Sequence, residues 1–120
     1  MGVDRVIAID LHCGQIQGFF GPRVPVDNLE ANIAAVTYLK NYSNIEKSIT
    51  VVSPDAGGVT RAKKFQEMLK NQMPERDVSL AMIIKHRSGA GKIGEMHLVG
   101  QVKDSDCVII DDMIDTAVKS

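Results

Sequence analysis

The chain has 120 residues, 44% of them hydrophobic and 24% charged, with a formal net charge of −1. That length supports one domain with an ordinary core. The near-neutral balance excludes a bulk electrostatic attraction to nucleic acid or membrane, so any anion site has to come from a local cluster. No apolar run approaches the roughly 18 residues of a membrane span, and the N-terminus lacks the basic-then-apolar layout of a secretion signal. Cys13 and Cys107 sit in or beside apolar runs. They read as buried, reduced thiols of a cytoplasmic protein.

In chain order, residues 5–11 form a first strand that starts so near the N-terminus that the chain looks cut from something longer. Residues 12–25 are punctuated by glycine and proline and read as a loop or linker. Asp27 then opens a helix: it can cap, Glu30 completes a capping box, and Leu29, Ile33, Val36 and Leu39 share one face. A polar turn over 41–47 leads to a strand over 49–53. The turn Pro54-Asp55-Ala56-Gly57-Gly58 follows, then a helix over 59–69 with Val59, Ala62, Phe65 and Leu69 inward, stopped by Pro74.

Residues 80–86 read as strand again. The stretch 87–95 holds three glycines and no apolar period, and reads as a mobile loop. Strands over 97–102 and 107–110 complete the pattern. The second, an unbroken apolar run, reads as buried on both faces. Strands alternating with amphipathic helices give an α/β fold with a mainly parallel sheet, the pair after the loop being open to antiparallel pairing. The strands ending at Asp10, Ser53 and Ile110 each run into polar groups, and open α/β sheets bind ligands at that carboxyl edge.

Two motif matches fail on context. Gly89-Ala-Gly91-Lys-Ile-Gly94 fits G-x-G-x-x-G, but a dinucleotide site needs a helix directly after the glycines, and another strand follows instead. A phospho-accepting receiver domain carries its acidic pair early in the chain, whereas Asp111-Asp112 comes last.

The remaining polar groups suit a sugar phosphate and a metal-bound polyphosphate. Asp111 and Asp112 are placed to accept hydrogen bonds from vicinal ribose hydroxyls, since carboxylates offer only acceptors. In Asp10-Leu11-His12 the outer side chains project to the same side of an extended chain and could share a divalent ion. The Asp55 to Gly58 turn opens a helix whose N–H groups and dipole favour an anion, with Asp55 able to reach a metal beside it; a plain N-cap is the competing reading. Lys85 and Arg87 flank His86 at the mouth of the glycine loop, where closure would bring two cations over a transferring phosphoryl group. His86 and His97 read as structural or surface residues.

Five blocks, Asp10 to Phe20, Pro25 to Leu29, Ser53 to Gly58, Lys85 to Arg87 and Asp111 to Thr116, closely resemble in sequence and order the ribose-phosphate diphosphokinase family. The resemblance implies a phosphoribosyltransferase-like α/β fold, truncated at both ends, that covers the middle third of the enzyme. Residues 1–29 would belong to the end of a first domain and its linker, and 30–120 to the start of a second. The implied reaction moves the diphosphoryl group of Mg-ATP to the 1-hydroxyl of ribose 5-phosphate, with Mg2+ as cofactor and ATP and ribose 5-phosphate as the partners. By the same carry-over Asp10, His12, Asp27 and Asp55 are metal-associated. Asp55, Ala56, Gly57 and Gly58 form the pyrophosphate loop, Lys85 and Arg87 the catalytic loop, and Asp111, Asp112, Asp115 and Thr116 the ribose 5-phosphate loop. The full-length family enzymes imply a homo-oligomer.

The chain departs from that pattern at Gly21, where many members have an aspartate, and at Val118, where the sugar-phosphate loop has glycine. The isolated chain is therefore expected to carry most of the catalytic groups with little activity of its own. Two alternatives stand beside this reading: a phosphoribosyltransferase, which has no reason to carry the Asp10 to Phe20 block, and a non-catalytic regulatory subunit, which has no need of Lys85 and Arg87.

Overall fold

The computed structural model describes residues 2–46, 48–87 and 93–114. Strand β3 (Ser48–Ser53) is its centre. It pairs in parallel with β4 (Val78–Arg87) on one side and with β6 (Ser105–Ile109) on the other, while β5 (Ile93–Val99) returns antiparallel along β4. The four-stranded order is β5-β4-β3-β6. The mainly parallel sheet is as expected, and among the described residues β5 is its one antiparallel member.

Ile49 and Val51 point from β3 into a core built from Ala62, Phe65 and Leu69 of helix α2 (Val59–Gln72), with Val36 of helix α1 (Asn32–Tyr42). The spacing of those three α2 residues places them on one helical face, as the sequence predicts. The other face of β3 buries Thr50, whose hydroxyl lies 2.7 Å from Ser105 Oγ. That contact satisfies a polar group that would otherwise be costly to bury.

A second, two-stranded parallel sheet joins β1 (Val6–Ile9) to β2 (Val26–Leu29). The expected linker over 12–25 contains a 3-10 helix, Gly14–Phe20. Strand β2 replaces the expected start of a helix at Asp27, because pairing with β1 gives its backbone groups partners that a helix end would leave open. Helix α1 begins instead at Asn32, after Ala31, with no side-chain cap. Its expected apolar face is only partly used: Val36 is buried, but Ile33 is 68% exposed.

Three further expectations are corrected. Strand β6 is an edge strand among the described residues, so the run over 107–110 is not buried on both faces, and Ile109 is 60% exposed. Cys13 and Cys107 are both exposed, Cys107 on the same outward row as Ile109. The loop expected over 87–95 is narrower, since Arg87 closes β4 and Ile93 opens β5; residues 88–92 lie outside the described residues.

Phe65 is 1% exposed in the core, whereas Phe19 is 88% exposed. In denaturant unfolding, Phe65→Ala should cost about 3–5 kcal/mol, and Phe19→Ala should stay within about 0.5 kcal/mol of the parent.

Candidate functional site

Parallel pairing places the carboxyl ends of β3 and β6 side by side, with Ile110 N–H donating to Val52 C=O at 3.0 Å. The Pro54-Asp55 turn and Asp111-Asp112 therefore leave the sheet as neighbours. The end of β1 reaches the same place: His12 Nδ1 lies 2.5 Å from Asp112 Oδ2. All three polar strand ends converge at one edge, as the sequence suggested.

A pocket of about 310 Å3 opens beside this junction, lined among others by Asp10, His12, Asn28, Gly57, Arg61 and Lys64. Asp10 adopts the left-handed backbone region, φ 52°, which aspartate tolerates better than bulky residues. Its Oδ2 accepts the Ala31 N–H at 3.3 Å, and Asn28 Oδ1 accepts the Leu11 N–H at 3.2 Å. These two bonds tie the ends of β1 and β2 together at the pocket wall.

Asp55 acts as a cap. Its Oδ1 accepts the Gly58 N–H at 2.8 Å, and Ser53 Oγ donates to the Asp55 C=O at 2.6 Å. Gly58 fits because a Cβ there would lie 3.0 Å from Ser53 Oγ. The turn Ala56–Gly58 leads straight into α2, so the positive end of that helix dipole faces the pocket through Gly57.

Asp27 stands apart. It lies on β2 opposite Ile7 and forms an ion pair with Arg5, while its neighbour Asn28 takes the pocket side. Lys85 lies where β4 runs on past Met82, the partner of Ser53, so it stands beyond the carboxyl edge without lining the pocket, and the backbone of Arg87 closes the same strand. Asp111 is exposed, whereas the Asp112 side chain is only 7% exposed. Asp115 and Thr116 lie outside the described residues.

Sequence reading missed Arg61 and Lys64. Both sit in the first two turns of α2, where the dipole disfavours cations and where the helix's own first turn holds no acidic residue. That mismatch was the available signal. Arg61 Nη1 lies 3.5 Å from Asp112 Oδ1 and its Nη2 donates to the Leu11 C=O at 3.4 Å; Lys64 Nζ pairs with Glu30 Oε1 at 2.6 Å.

Among the described residues no group of three or more His, Cys, Asp or Glu side chains is arranged to hold a metal. Asp10 and His12 line the pocket, and Asp27 and Asp55 stand outside its wall. That set does not make a protein cage. It does fit a Mg2+ that arrives on a polyphosphate, since such ions keep several waters and take only one or two protein ligands.

Profile comparison matches the Phosphoribosyl transferase domain to residues 25–118. The chain belongs to the phosphoribosyl transferase domain family. This phosphoribosyl transferase domain is 49% identical over 115 residues to ribose-phosphate pyrophosphokinase A of Dictyostelium discoideum, and the match spans 96% of this chain and 33% of that protein. Identity to ribose-phosphate pyrophosphokinase 3 of Saccharomyces cerevisiae is 47%, again over 96% of this chain and 33% of the relative. The crystal structure of phosphoribosylpyrophosphate synthetase from Mycobacterium smegmatis superposes with a TM-score of 0.79 at 38% identity, covering 98% of this chain and 34% of that one. The domain thus spans about a third of the length of the relatives it matches, and the resemblance read from its five blocks is borne out.

Burial alone would raise the Asp112 carboxyl pKa. Hydrogen bonds to His12 and Asp111, the Arg61 charge and the backbone outweigh it and lower the pKa from 3.8 to about 2. A depressed carboxylate stabilises the fold above its unfolded pKa and loses that contribution as pH falls through the folded one. Between pH 3.8 and about 2 the parent should therefore lose more stability than Asp112→Asn, as measured by denaturant unfolding at stepped pH. Parallel curves would show that the carboxylate contributes nothing to acid sensitivity.

Proposed function

We propose that the domain supplies the sugar-phosphate and metal-polyphosphate side of a ribose-phosphate diphosphokinase. In that reaction the 1-hydroxyl of ribose 5-phosphate attacks the β-phosphorus of ATP, the bond to the α-phosphate breaks, and AMP leaves. The observation that carries this reading is the convergence of Asp10, His12, the Gly57 turn and Asp112 at one carboxyl edge, in the order of the family's motifs.

Each group then has a role that its chemistry suits. Exposed Asp111 accepts hydrogen bonds from the ribose hydroxyls. The start of α2 favours phosphate oxygens through its dipole, and Arg61 and Lys64 add positive charge to the same pocket. Asp10 and His12 are the residues that would contact the Mg2+; the ion, when bound with ATP, neutralises phosphate charge. Lys85 and Arg87, from β4, stabilise charge that builds on the transferring group. Asp55 also shapes the turn as its cap and Asp27 anchors β2 to Arg5, beside the metal-associated role that the family resemblance gives both.

The proposal extends to the whole protein. Residues 1–29 end a first domain, residues 30–120 begin a second, and the complete polypeptide works as a homo-oligomer in the cytoplasm. No helix among the described residues is long and apolar enough to cross a membrane.

Isothermal titration of the domain with ribose 5-phosphate, with and without Mg-ATP, tests the sugar site. Binding is expected, and Asp111→Asn should weaken it about tenfold to a hundredfold, the worth of a hydrogen bond to a charged group. A folded domain that takes up no sugar phosphate would refute the assignment. In a polypeptide of the relatives' full length, Lys85→Ala and Arg87→Ala should each cut turnover by about 100-fold or more. Full turnover in both variants would remove the catalytic loop from the mechanism.

A further inference from the structure

Asp112 is where three distant segments meet: it follows β6, His12 follows β1, and Arg61 lies in the first turn of α2. His12 Nδ1 lies 2.5 Å from its Oδ2 and Arg61 Nη1 3.5 Å from its Oδ1, while Nη2 of the same guanidinium holds the Leu11 C=O beside His12 at 3.4 Å. With a side chain only 7% exposed, Asp112 has little surface left for a sugar hydroxyl; the His12 ring, by contrast, is 70% exposed and lines the pocket. The two aspartates therefore divide their work, Asp111 facing ligand and Asp112 facing protein.

An ionised carboxylate only accepts hydrogen bonds, so the proton in the contact belongs to His12 Nδ1. In the neutral ring Nε2 is then left with its lone pair. We propose that Asp112 and Arg61 are positioning residues that hold His12 in the Nδ1–H tautomer, so that Nε2 serves as the ring's ligand for the divalent cation of a metal-polyphosphate. Arg61 acts through Asp112 by fixing its carboxylate and through Leu11 by fixing the backbone next to His12. Carboxylate–imidazole pairs orient metal-binding histidines in this way. The inference rests on the proposed function for the identity of the ligand, and on the geometry alone for the tautomer.

Nitrogen NMR of the histidine rings at about pH 8, above the ordinary imidazole range, reads the tautomer directly. The signal is assigned by its loss in His12→Gln, since the chain has 3 histidines. The parent should show a protonated Nδ1 and an unprotonated Nε2. Arg61→Met and Asp112→Ala should shift the ring toward the Nε2–H form, and Arg61→Lys should retain the parent pattern in part. An Nε2–H ring in the parent overturns the proposal without recourse to any variant, as does an unchanged Nδ1–H ring in both folded variants.

Mn2+ with pyrophosphate then probes the ligand role, read by paramagnetic broadening of the His12 signals. Asp112→Ala should weaken the apparent affinity about tenfold to a hundredfold. Equal affinity in parent and variant, or no broadening in the parent, overturns the ligand role. Ribose 5-phosphate titration on the same samples separates the two readings: the expected tautomer and metal response without sugar binding refutes the diphosphokinase assignment alone, and sugar binding with the wrong tautomer refutes this inference alone.

Discussion

Everything at the carboxyl edge of the sheet depends on the burial of β3 between two parallel neighbours. Because β4 and β6 run in the same direction as β3, the chain leaves all three at the same edge, and each exit carries polar residues. An antiparallel partner would have sent Asp111 and Asp112 to the opposite edge from Asp55. Burial of Ile49, Val51, Phe65 and Leu69 fixes the register, since a slip of one residue would turn the apolar set of β3 away from α2. Hydrophobic packing is thus what sets the spacing of the charges.

The charges in turn bind the smaller sheet to the larger. Asp112 and Arg61 contact His12 and Leu11, beyond the end of β1, and Lys64 holds Glu30, beyond the end of β2. Each contact engages a group from α2, or from the turn after β6, with one just past a strand of the small sheet. This joins pocket geometry to tertiary structure through a few polar bonds rather than through a shared core. Two cations at the positive end of α2 are unfavourable by themselves. Their persistence there is offset by the carboxylates they meet, Asp112 and Glu30.

Where periodicity and local chemistry agreed, the fold was legible. Strand β3, helix α2 with Ala62, Phe65 and Leu69 inward, and the stop near Pro74 all follow from local pattern. Strand β2 did not, because Val26 and Leu29 offer too little alternation and the pairing with β1 is a tertiary decision. The capping box at Asp27 failed for the same reason: Asp27 found Arg5, and Glu30 found Lys64, partners that lie 22 and 34 residues away. In the site, the convergence of Asp10, His12 and Asp112 was readable from strand ends. That Asp112 would be occupied by His12 was not, since nothing in either segment specifies a contact spanning 100 residues. Exposure of Cys107 and Ile109 was hidden too, because an apolar run looks alike whether its second face is covered or open.

Strand β6 runs into the acidic pair, yet among the described residues it has a neighbour on one side only. Its outer row of backbone donors and acceptors is a template for another strand. A strand added there in parallel would leave its own carboxyl end next to Asp111, extending the polar edge by one more loop. The same open row, unpaired, invites association between copies at high concentration, with Ile109 and Cys107 on the exposed face to assist it. The position that lets this strand deliver its carboxylates to the rim of the sheet is therefore also the position from which the sheet grows.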